Sequence, residues 1–307
     1  PRNRGLDKIM STELYPLTLE PLVAEQIWGR SVELPDDGSL PAAFLGVMVM
    51  VAANSRVVAG PEAGRSLSYL RQMWGPKLMG SEAGGDYDGP LPVELKLRRT
   101  GDTALAVGLD SDSLWHFLAA DENSSVNAGF QNDLDFQTAF QQAGDDAGRW
   151  SEFMPEQAVE SGQNLFLPKF SPLLLGSGLT VAQISRPAKA LPSWPLNGPT
   201  DEDLKLAAAS ASPVWLPAPP REDGQANELA RPGGLRVSLV TATHLSSAVN
   251  PEAATFLWPV AGQGRIRTRG PAPATRLTPG RVVMLPAGLG RYAVESGASV
   301  TYLLIEA

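Results

Sequence analysis

The sequence predicts a mostly β protein made of two β-domains of the sandwich or barrel kind. Three observations carry that reading. Glycine and proline supply 30 and 27 of the 307 residues, which interrupts the chain too often for a helical bundle. Short apolar runs recur between turn-forming residues. One strand–turn–strand scheme is also written twice, once in the middle of the chain and once at its end.

The polar, basic stretch from Pro1 to Met10 reads as a tail outside the fold. Strands are expected at Leu45–Ala52, Val93–Lys96, Ala104–Gly108, Leu114–Ala119, Leu165–Pro168 and Leu179–Ile184, each an apolar run bounded by turn residues. Helices are few. Ser66 caps an expected helix reaching Met79, in which Leu67, Leu70, Met73 and Trp74 recur at helical spacing. A second is expected from Asp133 to Gln142, with Asp133 as its cap and Leu134, Phe136 and Phe140 on its apolar side. A third runs from Asp201 to Ala211, where Thr200 and Asp203 make a capping-box pattern. Residues 212–234, SPVWLPAPPREDGQANELARPGG, keep no periodicity and are expected to link a domain of residues 11–211 to one of residues 235–307. Beyond them RVSLVTAT, TFLWPVAGQGRIRTRG, RVVMLPAG, RYAV and VTYLLIEA read as strands between glycine-rich turns.

Charge and composition narrow the function. The 25 Lys and Arg against 33 Asp and Glu give a net charge of -8, which repels phosphate backbones and anionic lipid, so neither nucleic acid nor membrane is an expected partner. The chain has no run of 18 apolar residues and no signal-like start, and a cytoplasmic protein is expected. With no cysteine, disulfides, thiolate catalysis and Cys-based zinc sites are excluded. The two histidines are His116, expected half-exposed on a strand, and His244, expected at a turn or strand end. Asp110 and Asp112 on one loop are expected to be solvated rather than to hold a hard cation. GQGRIRTRG opens no helix, so it is not a phosphate loop; Arg265, Arg267 and Arg269 are expected on a solvated edge that discourages strand pairing.

The repeated scheme, SGQNLFLPKFSPLLLGSGLTVAQI and TPGRVVMLPAGLGRYAVESGASVTYLLI, resembles the second motif of cupins, which are double-stranded β-helices of the jelly-roll class. Taken in order, YPLTLEPLVAEQIWGRSVEL, VVAGPEAGRSLSYLRQMWGPKLMG, LPVELKLRRTGDTALAVGLDSDS and SLWHFLAADENSSVNAGF resemble the type I mannose-6-phosphate isomerases. The resemblance covers nearly all of Ser11 to Ala307 and implies two cupin domains with a few short helices. It also implies a divalent metal, usually zinc, at positions that fall here on Ala106, Gly108, Ser113 and Leu173. Alanine, glycine and leucine offer zinc no donor and a neutral serine hydroxyl is a poor one, so no zinc or other cofactor is expected. The family's catalytic arginine falls near Ser193. The four ligand positions are expected to converge within one barrel.

An aldose–ketose proton shuttle needs a base and an electrophile for the carbonyl oxygens. The resemblance implies that Lys96 points inward toward substrate, and Glu94, two apart on the same strand, shares its face; without a metal they are the candidate catalytic residues. Lys96, Ser113, Gln183 and Arg186 are the candidate substrate-binding residues, and Trp115 is read as core. The expectation is an isomerase-like cupin that has lost zinc and isomerase activity while keeping a pocket for a small sugar, sugar phosphate or other metabolite. Two further readings stand beside it. One is an active isomerase with a displaced or metal-free site; the other is a structural or interaction module whose barrel mouth is plugged by Leu173.

Overall fold

The expected strands form because each apolar run supplies one face to a barrel interior and the other to a second apolar layer. The computed structural model describes residues 14–23, 46–80, 91–101, 105–107, 110–131, 134, 138, 141–142, 149, 151–187, 212–220, 222–246, 252–269 and 273–307. In chain order the first part gives β1 (Leu17–Leu19), β2 (Leu22–Val23), β3 (Gly46–Val51), α1 (Leu67–Trp74), α2 (Pro76–Met79), β4 (Glu94–Arg99) and β5 (Leu105–Val107). There follow β6 (Ser113–Ala120), β7 (Ser125–Ala128), β8 (Glu156–Ala158), β9 (Asn164–Leu167), β10 (Leu173–Leu175), β11 (Leu179–Ser185) and β12 (Val214–Leu216). The last part gives β13 (Ala226–Ala230), β14 (Arg236–Ala242), β15 (Leu245–Ser246), β16 (Thr255–Thr268), β17 (Thr275–Leu277), β18 (Val282–Leu285) and β19 (Tyr292–Glu306).

Three antiparallel sheets result. One has the order β12-β9-β6-β11-β4-β3-β2, and a smaller one β5-β10-β7-β8. Trp115, Phe117, Val126, Leu165, Leu173, Leu175 and Val181 fill the space between them as a first buried core. The third sheet has the order β1-β18-β16-β19-β14-β13, with β15 on β19 and β17 on β16. It encloses a second core of Val240, Leu257, Ile266, Leu277, Val283, Tyr292 and Tyr302. A third and larger layer, including Leu17, Met48, Leu95, Leu97, Ile184, Leu239, Phe256 and Leu303, binds the outer face of the first large sheet to the last one. The protein is thus mostly β, two antiparallel jelly rolls back to back. The written repeat has a structural counterpart: β9, β10 and β11 correspond to β18 and the two halves of β19.

Several expectations need correction. The helix over Ser66–Met79 is two helices, because Gly75 (φ 45°) and the proline that follows it end α1 and start α2. Its cap is as expected, Ser66 Oγ accepting the Tyr69 N–H at 3.2 Å. The expected helices over 133–142 and 201–211 lie outside the described residues, apart from 134, 138, 141 and 142. The stretch 212–234 is not a bare linker: β12 pairs with β9 and β13 with β14, so it carries a strand into each of two sheets. Backbone hydrogen bonding needs no side-chain periodicity, which is why the pattern hid them. The arginines of GQGRIRTRG are not on an edge, since β16 pairs with β17, β18 and β19. Arg265 and Arg267 instead flank Glu295 on the facing strand, at 3.3 and 2.7 Å.

The segment carrying β1 and β2 bridges two sheets, since β2 pairs with β3 of the first large sheet. β1 pairs with β18, Leu17 opposite Met284 and Leu19 opposite Val282, although these residues are separated by most of the chain. Helix α2 docks on the same sheet through its backbone. Lys77 and Leu78 carbonyls accept the Gly288 and Ala287 N–H groups at 2.8 and 3.0 Å, and the Met79 carbonyl accepts that of Ala254 at 3.2 Å. Among the described residues no helix is long and apolar enough to cross a membrane.

Candidate functional site

Strand register builds a polar group at one end of the first barrel. Across β4, β11, β6 and β9, Glu94 is opposite Ser185, Ser185 opposite Ser113, and Ser113 opposite Leu167. Two residues further in, Lys96, Gln183, Trp115 and Leu165 form the next row, and Arg98, Val181 and Phe117 the one after. Residues directly opposite in an antiparallel ladder share a face, and here that face is the barrel interior that also holds Phe117, Val181 and Leu165. The intervening residues Leu95, Leu97, Leu114, Ala182 and Ile184 face the layer between the barrels. A period of two therefore sorts charge to one side and apolar bulk to the other.

The polar side chains engage one another. Lys96 Nζ is 2.7 Å from Glu94 Oε2, both partly shielded from solvent. Arg98 Nε donates to Gln183 Oε1 at 2.6 Å, and the guanidinium carbon lies 5.5 Å from the centre of the Trp115 ring. Trp115 Nε1 donates to Ser113 Oγ at 2.8 Å. Burial pulls the Arg98 pKa down to about 10, against the opposing pull of the Glu94 carboxylate, so the group stays a cation at neutral pH. Gln183 is 1% exposed and Ser185 0%. Gln183 Nε2 and Ser185 Oγ have no hydrogen-bond partner among the described residues. Glu94 Oε2 is likewise buried without a hydrogen-bond partner but meets the Lys96 ammonium, so Gln183 Nε2 and Ser185 Oγ, which lack even an ion pair, mark a place for a ligand atom or water on this face.

The segment after β9 borders this end of the barrel. The Lys169 N–H donates to Asp112 Oδ1 at 2.9 Å, directly beyond the Leu167–Ser113 pair. Phe170 next to it has φ 65°, a left-handed conformation that costs a bulky side chain energy and is often kept at functional sites.

The other expected residues fall as follows. Lys96, Glu94, Ser113 and Gln183 come together, as register requires. Arg186 does not join them: it is exposed, and its Nε donates to the Gly233 carbonyl, tying the end of β11 to the turn before β14. Leu173 is fully buried in the barrel core. It stands opposite Val107, while Ala106 is one place along, opposite Leu174. Gly108 and Ser193 lie outside the described residues. Asp112 is occupied by the Lys169 N–H, and Asp110 is exposed. His116 points away from the barrel interior as expected but is 4% exposed, not half-exposed, with Nδ1 2.7 Å from Asn164 Oδ1. The second barrel covers that face, which strand periodicity alone does not foretell. His244 lies in the exposed bend between β14 and β15, in agreement with the sequence. Arg98 and Ser185 are the residues that sequence reading missed. Both were reachable, since Arg98 is the third member of the alternation Glu94, Lys96, Arg98 and Ser185 follows Gln183 by two.

A zinc ion fits this set poorly. Zinc takes about four His, Cys or carboxylate ligands. Among the residues described on this face Glu94 is the one carboxylate, already paired with Lys96, and the neighbours are two cations, an amide and hydroxyls. Among the described residues no three His, Cys, Asp or Glu side chains gather as a metal site would need.

Comparison with known proteins places the fold. No protein-family model matches the sequence, and no curated protein matches it. By structure the chain is similar to the mannose 6-phosphate isomerase of Bacillus subtilis, with 16% identity and a TM-score of 0.69 over 95% of this chain and 99% of that one. A candidate mannosephosphate isomerase from Archaeoglobus fulgidus matches with 14% identity and a TM-score of 0.68, over 97% and 100% of the two chains. The apo form of the Salmonella typhimurium enzyme matches with 12% identity and a TM-score of 0.60, over 95% and 99%. The fold resemblance therefore covers both barrels and nearly the full length.

Proposed function

We propose that this chain, which has the fold of mannose-6-phosphate isomerases, is a metabolite-binding cupin that works without zinc and does not interconvert sugar phosphates. The observation that carries the reading is the character of the barrel's polar group. Lys96 and Arg98 put two cations where a metal site needs acceptors, and Glu94 is neutralised by Lys96 at 2.7 Å. A carboxylate oxygen engaged by an ammonium is not free to take the C2 proton of a sugar, and among the described residues no ligand set stands ready to hold the metal that would polarise the carbonyl. Binding remains available, because Gln183 and Ser185 present buried polar atoms that lack partners among the described residues.

The test is a coupled assay for conversion of mannose 6-phosphate to fructose 6-phosphate, with and without added zinc, beside elemental analysis of the same protein. The expected result is no turnover above the blank and no stoichiometric zinc. Turnover abolished by a chelator overturns the proposal. Turnover that survives the chelator but is lost in Glu94→Gln would instead identify a metal-free isomerase.

A further inference from the structure

We infer that the first barrel takes a small hydroxylated monocarboxylate, of the sugar-acid type, with its carboxylate held by Lys96, Arg98, Gln183 and Ser185. The inference rests on the metal-free binding reading above and names the ligand class for the same site.

The groups on this face are chiefly hydrogen-bond donors: the Lys96 ammonium, the Arg98 guanidinium, the Gln183 amide and the Ser185 hydroxyl. Gln183 cannot turn its amide around freely, because its Oε1 already accepts from Arg98 Nε at 2.6 Å, which leaves Nε2 as a donor. That Nε2 is buried without a partner among the described residues, as is Ser185 Oγ in the neighbouring row. A complementary ligand group must therefore accept several hydrogen bonds at once, as a carboxylate does when it meets a guanidinium and an amide.

Charge chooses among the acceptors. Among the described residues of these rows two cations stand against the Glu94 carboxylate, a surplus of one positive charge in a place where burial penalises any unmatched charge. A monoanion balances this surplus. A phosphate monoester, carrying nearly two negative charges at neutral pH, exceeds it and also meets Glu94. A neutral sugar leaves the surplus in place. The hydroxyls follow from the rest of the rim, since Ser113 Oγ accepts from Trp115 and retains its own proton to donate. The Lys96–Glu94 pair is partly solvent-exposed and offers both a donor and an acceptor to a polyol chain.

Thermal shift and titration calorimetry on the full chain test this, with D-gluconate, D-mannonate and D-galacturonate as probes against mannose 6-phosphate, mannose and inorganic phosphate. Each is run in EDTA and again with zinc. At least one carboxylate is expected to raise Tm by several degrees in EDTA at saturating concentration. Arg98→Met and Gln183→Glu should each weaken its affinity on the order of tenfold or more. Gln183→Glu keeps a partner for Arg98, so it guards against a variant that simply fails to fold, while its added negative charge opposes an anion. Binding of mannose or mannose 6-phosphate in EDTA, with none of the carboxylates, overturns this inference and leaves the metal-free reading standing. Binding that appears only with zinc, or binding of no probe at all, overturns both. Carboxylate binding unchanged in the two variants places the ligand elsewhere and overturns the inference.

Discussion

Arg98 and Gln183 form a buried cross-strand pair in which the guanidinium depends on the amide oxygen at 2.6 Å. Such a pair is asymmetric in its energetics: losing one partner strands a charge, while losing both removes the cost of burying it. Gln183→Leu is therefore expected to destabilise the protein by about 2–4 kcal/mol, as for a buried charge deprived of a partner. Adding Arg98→Met to that variant should recover most of the loss. Urea unfolding of both single variants and the double one gives the coupling directly. Additive effects would mean that the pair does not act as a unit.

The pairing of β1 with β18 makes the beginning of the described chain a structural part of the second barrel. Leu17 and Leu19 are fully buried in the layer between the barrels. Leu19→Ala should cost about 2–5 kcal/mol, the range for deleting a large side chain from a packed core. A fragment of residues 212–307 would leave the β18 edge unpaired and the apolar layer open, inviting edge-to-edge association. Gel filtration should show that fragment as aggregate or insoluble material. A well-behaved monomer with a cooperative melt would show that β1 is dispensable.

The strands were legible because both their spacing and their apolar content are local signals. Parity alone puts Glu94 beside Lys96 on β4, whereas Ser113 and Gln183 on two other strands were legible only through the family resemblance; the register then sets all four on one face. What could not be read were relationships between distant segments. His116 is buried because a second sheet lies over it, and Arg186 meets the Gly233 carbonyl because the chain returns beside β11. The strands β12 and β13 also escaped notice, since their partners supply order that their own composition does not announce.

Gly80 marks the contact of α2 with the second barrel. Its φ is 94°, and a Cβ there would come within 2.7 Å of the Glu252 carbonyl oxygen. The substitution Gly80→Ala thus combines left-handed strain with a clash against backbone, which cannot rotate away. An expected loss of about 1–3 kcal/mol should appear as a lower Tm. Gly64→Ala provides the contrast, because its φ is 82° yet a Cβ there would meet nothing within 4 Å. Equal losses for the two would mean that strain alone sets the cost and that the contact with Glu252 contributes nothing.

Tyr292 gives the second barrel an alkaline limit. Burial, reinforced by Tyr302 and Glu306, holds its phenol pKa above the ordinary value of about 10. Below pH 10 the phenol is protonated in folded and unfolded chains alike, and it contributes no pH dependence. Above pH 10 the unfolded chain releases the proton while the folded chain keeps it, so the unfolded state binds fewer protons and stability falls as pH rises. One such group gives a slope of up to about 1.4 kcal/mol per pH unit. Tyr292→Phe preserves the ring in the core and removes the ionising group. Urea unfolding between pH 8 and 11 should show nearly equal stabilities at pH 8 and a shallower alkaline decline for the variant. Parallel declines for both proteins would mean that the alkaline loss arises from other groups and that the Tyr292 phenol ionises as readily in the barrel as in water.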